Sequence, residues 1–297
     1  MIGERDPVTM HDEDARAPAW AASDAPTRTP GVRGRRQSPL LRIRGSLGIG
    51  WKIGLATAGV AAIVIVWTVK AASTTDASSV LPTPAATWSA LVRLQRDGTL
   101  GADLWASLQR VLIGYTISVA IGVVLGIAIG TFASIEAFFE AQIGFLRYIP
   151  ASALTPLFLI WLGIGEAPKI WLIVVGTVFY NVLMIADVAR AVPRELLDAS
   201  YTLGAGRTTV VRRVILRHCV PGIIDVARIN LAAAWLMLVV AELLAAQEGL
   251  AYQITRAQRF RAVDTMFALL IVFGLIGLLS DLALRFIRNV TSPWARP

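Results

Sequence analysis

A chain of 297 residues that is 56% hydrophobic and only 16% charged, with a mean hydropathy of +0.63, is too apolar for an ordinary water-soluble domain, in which about a quarter of residues carry charge. Its net charge of +8 would suit nucleic acid, but the cations gather in the amino-terminal arm and one internal loop, without aromatic or polar partners that read bases. That distribution marks the inner face of a membrane protein, and it argues against a nucleic-acid partner. The single cysteine, Cys219, excludes an internal disulfide, and two histidines, His11 and His218, cannot build a metal site without many carboxylate helpers.

Residues 1–45 are rich in Pro, Asp, Ala and Arg and show no apolar period, so they bury too little surface to offset chain entropy and are expected to form a disordered cytoplasmic tail. Arg35 and Arg36 look superficially like an export signal, but no small-residue cleavage site follows, and they read as a positive anchor for the first span. A membrane domain is expected over 46–290, with 291–297 as a short cytoplasmic tail. A span needs ~20 apolar residues to cross ~30 Å of hydrocarbon. The first runs from about Trp51 to Val69, flanked by Lys52 and Lys70, and a Ser/Thr/Pro/Asp segment ending in the stiff turn Leu81 to Pro84 lies outside.

The second span covers about Leu104 to Phe132. Its glycines Gly114, Gly122, Gly126 and Gly130 line one face and invite close approach of another helix. Residues 135–148 are amphipathic and suit the cytoplasmic interface. A third span enters between Phe139 and Ile149, ends near Ile164 and should kink at Pro150 and Pro156. After the polar hairpin Gly163 to Lys169 comes a fourth span, Ile170 to Val188. The loop 190–221 carries Arg190, Arg194, Arg207, Arg212, Arg213 and Arg217 and is therefore assigned to the cytoplasm. A fifth span over about Ile223 to Leu244, a polar connection over 247–264 and a sixth span over about Met266 to Ile287 leave both termini inside. Arg256, Arg259 and Arg261 oppose this bias, but the heavier arginine load of 1–44 and 190–217 outweighs them. The fold class is all-α: a polytopic membrane helical bundle of about six transmembrane helices.

Within the loop, Pro193 starts a short helix, Glu195 and Asp198 sit in its first turns where the dipole favours acids, and Gly204 or Gly206 ends it. A rigid knob of this kind on a cytoplasmic face serves to dock a partner. Its sequence resembles the EAA loop of the permeases of binding-protein-dependent ABC importers, whose pattern is Glu-Ala-Ala, three residues, Gly, nine residues, then Ile-x-Leu-Pro. Here Asp198, Ala199 and Ser200 take the first triplet, Gly204 the glycine, and Val214 and Leu216 the apolar positions, while Arg217 replaces the proline and Pro221 follows. The stretches Arg147 to Trp171 and Val240 to Asp281 resemble the nitrate, sulfonate, taurine and bicarbonate branch.

The resemblance implies a homodimer with a second permease copy, two ATPase subunits and an external solute-binding protein, all at the bacterial inner membrane in a lipid bilayer. It implies an ATPase-docking coupling helix comprising Glu195, Asp198, Ala199, Ser200, Leu203, Gly204, Ala205 and Arg207. The sequence has no G-x-x-x-x-G-K-[ST] loop to cradle phosphates. No catalytic residue, metal or cofactor is therefore assigned to this chain, and ATP and Mg belong to the partner ATPase. Small anions, sulfonates such as taurine first, are the expected cargo.

Polar side chains inside spans are costly, so Asn181, Arg228, Asn230, Trp235 and Glu242 are candidates for the translocation path, with helix packing or pairing as the plainer role for each. An ion-gradient-driven transporter is the alternative class; it would show internal repeats, and the two halves show none convincing. A membrane-embedded hydrolase or transferase would need clustered nucleophiles or acids within the spans, and no such cluster is visible.

Overall fold

The computed structural model describes residues 48–73 and 81–295; the predicted tail over 1–45 and the segment between Ser73 and Leu81 lie outside the described residues. By internal contacts the chain divides after Ala62, inside the first helix. The described part of the first unit, Gly48 to Ala62, is one exposed apolar helical stretch, the start of α1 (Ile49–Ser73). The second unit, from Ile63 onward, holds every other described element.

In the second unit, α2 (Pro84–Arg96) begins where Pro84 presets the helical φ and the Thr83 hydroxyl accepts the Ala86 N–H. The remaining helices are α3 (Thr99–Thr131), α4 (Ala133–Leu146), α5 (Thr155–Leu162), α6 (Ala167–Arg190), α7 (Arg194–Thr202), α8 (Arg207–Thr209), α9 (Leu216–Ala245), α10 (Leu250–Arg259) and α11 (Val263–Thr291). Among the described residues, five helical rods are long and apolar enough to cross a membrane: α1, α3, α6, Arg207–Leu243 and α11. Between α3 and α6, α4 and α5 meet at 80°, and counted as one broken span this pair makes the total six. The kink expected near Pro150 is therefore a full break: Pro150 and Pro156 admit only a 3₁₀ turn, Ala151–Leu154, between the two helices.

Three boundaries differ from the sequence expectation. The fifth span starts not at Ile223 but at Arg207, running through a π-helical stretch, Val210–Ile215, into α9 with Pro221 inside the helix. Its arginines had read as loop residues, yet on a helix end they simply point outward, and Arg212, Arg213 and Arg217 are all exposed. Two further helices lie outside the expected spans: α2 starts at the end of the expected turn, Pro84, and runs through a stretch given no element, and α10 occupies the segment read as a polar connection.

Helix α6 is the centre of the fold, with Leu172, Ile173, Val182, Ile185 and Ala186 no more than 1% exposed. It lies against the glycine face of α3, and Ser118 fills the gap between Gly114 and Gly122, so that small residues recur every fourth position from 114 to 130. A Cβ added at Gly122, Gly126 or Gly130 would come within 2.8 Å or less of α6 atoms, which makes the glycine run a packing device. Helix α11 presents most of its apolar side chains outward, as a lipid-facing helix does.

The ends of the bundle are tied separately. At one end Arg93 of α2 pairs with Asp264 of α11, and the tryptophans Trp88, Trp105, Trp161 and Trp171 are exposed, a residue type enriched where spans meet the bilayer surface. At the other end Arg190 bridges Glu136 of α4 and Asp187, and Arg288 of α11 meets Asp225 of α9.

Candidate functional site

Helix α7 hangs between two rods by short tethers, residues 191–193 from α6 and 203–206 to α8. Leu203 N–H donates to Ala199 O, Gly204 N–H to Tyr201 O at 2.9 Å and Ala205 N–H to Ser200 O at 3.0 Å. The last two bonds are the paired closure of a Schellman motif, with Gly204 as the left-handed residue at φ +79. This is the physical reason for a glycine at that place in the loop pattern.

No residue of α7 is buried, but one face is anchored. Leu197 and Ala205 pack on a cluster built from Ile127 of α3, Ile185 and Ala189 of α6, and Val210 and Ile215. The other face stays bare: Leu196 and, just past the helix, Leu203 are exposed, Leu203 at 87%. Beside it opens a cavity of about 480 Å³, walled on the α7 side by Leu196, Ala199, Ser200 and Leu203. Arg213, Val214, Arg217, His218 and Trp294 form its opposite wall.

Two buried polar clusters lie along the spans. In the first, Asn230 of α9 donates to Asn181 Oδ1 of α6 at 2.8 Å, while Asn181 Nδ2 and Thr177 Oγ1 both donate to Ser118 Oγ of α3, at 2.9 and 2.7 Å. In the second, Arg110 of α3 is 2% exposed and gives Nε and Nη2 to Glu166, and Nη1 to Glu242 Oε1 and the Glu248 carbonyl, both at 2.8 Å. Glu242 also accepts from Ser107 Oγ at 2.6 Å and Ala251 N–H at 2.9 Å. Asp103 accepts from Gly249 N–H and Gln253, and Ser107 Oγ from Leu250 N–H. The free N–H groups at the start of α10 are thus capped by side chains of α3 and α9, in place of a local cap. Glu166 lies outside the spans, and its two hydrogen bonds from Arg110, supported by Lys169 and opposed by burial, hold its carboxyl down to about 2.

Residues 116–292, which include α7 and every wall of its cavity but Trp294, match the family described as binding-protein-dependent transport system inner membrane component. The chain belongs to that family. Among relatives, a Brucella melitensis protein named as a probable ABC transporter permease is 35% identical over 74% of this chain and 90% of its own length. The taurine transport system permease protein TauC of Escherichia coli is 34% identical over 67% of this chain and 72% of its own. A chain of the MetNI methionine ABC transporter, solved in inward-facing conformations, shares the fold with a TM-score of 0.60 at 20% identity, covering 66% of this chain and 98% of that one.

In this permease the residues expected to dock an ATPase fall together on one short helix and its exit. Glu195, Asp198, Ala199, Leu203, Gly204 and Arg207 are exposed, while Ser200 and Ala205 are half-buried. The five candidates for the path do not form one group. Asn181 and Asn230 bond each other, Glu242 joins the Arg110 cluster, and Arg228 pairs with Asp281 at 2.9 Å and Asp225 at 3.4 Å. Trp235 packs edge-on to Phe273, and its indole N–H finds no acceptor among the described residues.

Sequence reasoning passed over Arg110, although it stands inside the predicted second span. The rule that an intramembrane charge needs a partner would have found it. Gly249 was missed as well: its φ is +122, and an added Cβ would sit 2.4 Å from Glu242 Oε1. Gly249→Ala is expected to cost about 2 kcal/mol or more, from the strained φ together with the displaced carboxylate. The check is the thermal midpoint of the detergent-solubilised permease, against Gly98→Ala at φ +71 with open space around it, which carries the backbone cost alone.

Proposed function

We propose that this chain is the membrane path of an ATP-driven importer of small anions, with sulfonates such as taurine the first choice and nitrate and bicarbonate in the same class. The taurine permease likeness and the branch-specific stretches around 147–171 and 240–281 support that cargo. Two copies form the path, an external binding protein delivers the solute, and two separate ATPase subunits hydrolyse ATP with Mg. The arginine-rich α7 end and both termini face the cytoplasm of a bacterial inner membrane.

The observation that carries the proposal is the bare, Schellman-closed α7 on short tethers. A nine-residue helix with an anchored Leu197 and an outward Leu203 cannot slide without moving α6 and the 207–243 rod. Closure of the ATPase pair would draw the two docked α7 helices together and rock those rods between two arrangements. Of the polar residues considered for the path, Arg228 is the most open, with its side chain 28% exposed beside two ion pairs, while Trp235 is buried. Asn181, Asn230 and Glu242 spend their hydrogen bonds on neighbouring helices.

Leu203→Arg is the direct test. The side chain is 87% exposed, so the fold should be unaffected, whereas ATPase co-purification should fall at least about tenfold, as for an apolar anchor at an interface. Gly204→Val should act on the same readout through backbone strain, about 1–2 kcal/mol at φ +79, with Gly204→Asn milder. Unaided, ion-gradient-driven uptake by the purified chain in liposomes would overturn the proposal.

A further inference from the structure

We infer that Arg213, Arg217 and His218, with Trp294, form a basic socket that takes a carboxylate side chain of the ATPase subunit and helps the permease select its own ATPase from those of related importers. The inference rests on the reading of α7 as the docking helix and adds to it a second, charge-reading contact.

Three observations carry it. The cavity of about 480 Å³ shares a wall with the exposed apolar stripe of α7, so a protein seated on that stripe necessarily covers the opening. Its far wall offers two guanidinium groups and an imidazole, all exposed, and neither Arg213 nor Arg217 makes an ion pair among the described residues. The acids of α7 itself, Glu195 and Asp198, are not among the cavity's walls. A cluster of like charges left without counter-charge calls for an acidic occupant.

The third observation is the position of Arg217. It follows Arg213 by four residues and lines the same cavity wall, so the two charges act on one opening beside the apolar stripe. A doubled positive charge at that place discriminates partners in both directions. A matching carboxylate is drawn in, while an ATPase without one meets an uncompensated pair of cations. The cavity's width and open side fit an inserted side chain better than a free solute, since sites for small molecules bury about 70–90% of their ligand. Trp294 adds a flat apolar wall beside the cations.

The test uses full-length permease and the ATPase subunit that co-purifies with it, with binding measured in detergent at several salt concentrations. Arg217→Glu should weaken binding about tenfold, Arg213→Glu with Arg217→Glu further, and the salt dependence should flatten in both. Reversing one acidic residue on the ATPase face to arginine should restore binding to Arg217→Glu and weaken it to the unaltered permease. If both permease variants bind within twofold of the unaltered chain while Leu203→Arg does not bind, the socket is refuted and the docking helix stands. If Leu203→Arg binds as well, the docking reading itself has failed. If binding is lost in Arg217→Glu but no ATPase reversal restores it, and the loss instead follows the anionic lipid content of the preparation, the cations serve headgroups and the proposal is overturned.

Discussion

Arg110→Met should destabilise the folded permease by about 3–5 kcal/mol, the usual cost of removing one partner of a buried ion pair. The guanidinium is 2% exposed and joins three segments distant in sequence: Glu166 before α6, Glu242 near the end of α9 and the Glu248 carbonyl before α10. Methionine matches the length but leaves the fully buried Glu242 carboxylate facing only Ser107 and the Ala251 N–H. Adding Glu242→Gln should recover part of the loss, because the stranded charge is gone. The double variant is therefore expected to be more stable than the sum of the two single changes. Arg93→Met serves as comparison: its pair with Asp264 is 58% and 29% exposed, and its loss should cost no more than about 1 kcal/mol. Denaturation midpoints in detergent for the four variants decide the matter, and equal losses from Arg110→Met and Arg93→Met would refute the network's role. Acid should leave the Glu166 arm intact over a wide range. A carboxyl held down to about 2 contributes fully above the ordinary carboxylate range, and its contribution fades only as pH falls from there toward 2.

What the sequence made legible follows the physics of lipid. An apolar stretch of ~20 residues announces itself, so the five rods could be found from composition, whereas the third span, expected to kink at Pro150, is in fact broken there. The helix at 194–202 was legible for another reason: its start, its acids and its stop are local, and Gly204 supplies the stop. Helix α10 has no such local signature. The N–H groups of Gly249 and Leu250 are met by Asp103 and Ser107, 146 and 143 residues away, so no capping residue precedes the helix in the chain. Arg256 and Arg259, which strained the topology when read as loop charges, occupy its last turn, where the negative end of the helix dipole favours cations. The start of the fifth span was hidden because Arg207, Arg212 and Arg213 lower its apparent hydropathy while projecting from the helix end. Asn181 and Asn230 were visible as intramembrane amides, but only the packing of α6 against α9 reveals that they bond each other. The family was easier to read than most contacts, since the loop pattern that carries the resemblance lies within one short, exposed stretch.

Gly130→Ala should reverse the usual sign of a glycine-to-alanine change in a helix, which ordinarily stabilises by about 0.5–1 kcal/mol. At Gly130 the new methyl would lie 2.5 Å from Ala186 O and 2.6 Å from Ala189 Cβ, atoms of the α6 backbone and of a side chain with no rotamer to change. Neither can move aside, so α3 and α6 must separate locally, an overpacking cost of about 1–3 kcal/mol. Gly126→Ala meets Ile185 Cβ and Val182 O at 2.8 Å, slightly less tight, and should cost somewhat less. Gly101→Ala, also on α3 but with nothing within 4 Å, should be neutral or mildly stabilising. The order of thermal midpoints is expected to be Gly101→Ala, then Gly126→Ala, then Gly130→Ala, with both ladder variants below the unaltered protein. The consequence reaches function because α6 carries α7. Loosening α3 from α6 near residue 130 frees the anchor formed by Ile127, Ile185 and Leu197, so ATP hydrolysis should lose its coupling to uptake in Gly130→Ala even where enough folded protein remains to measure both. Tight coupling in a destabilised Gly130→Ala permease would show that the motion reaches the spans by a route other than the α3 and α6 contact.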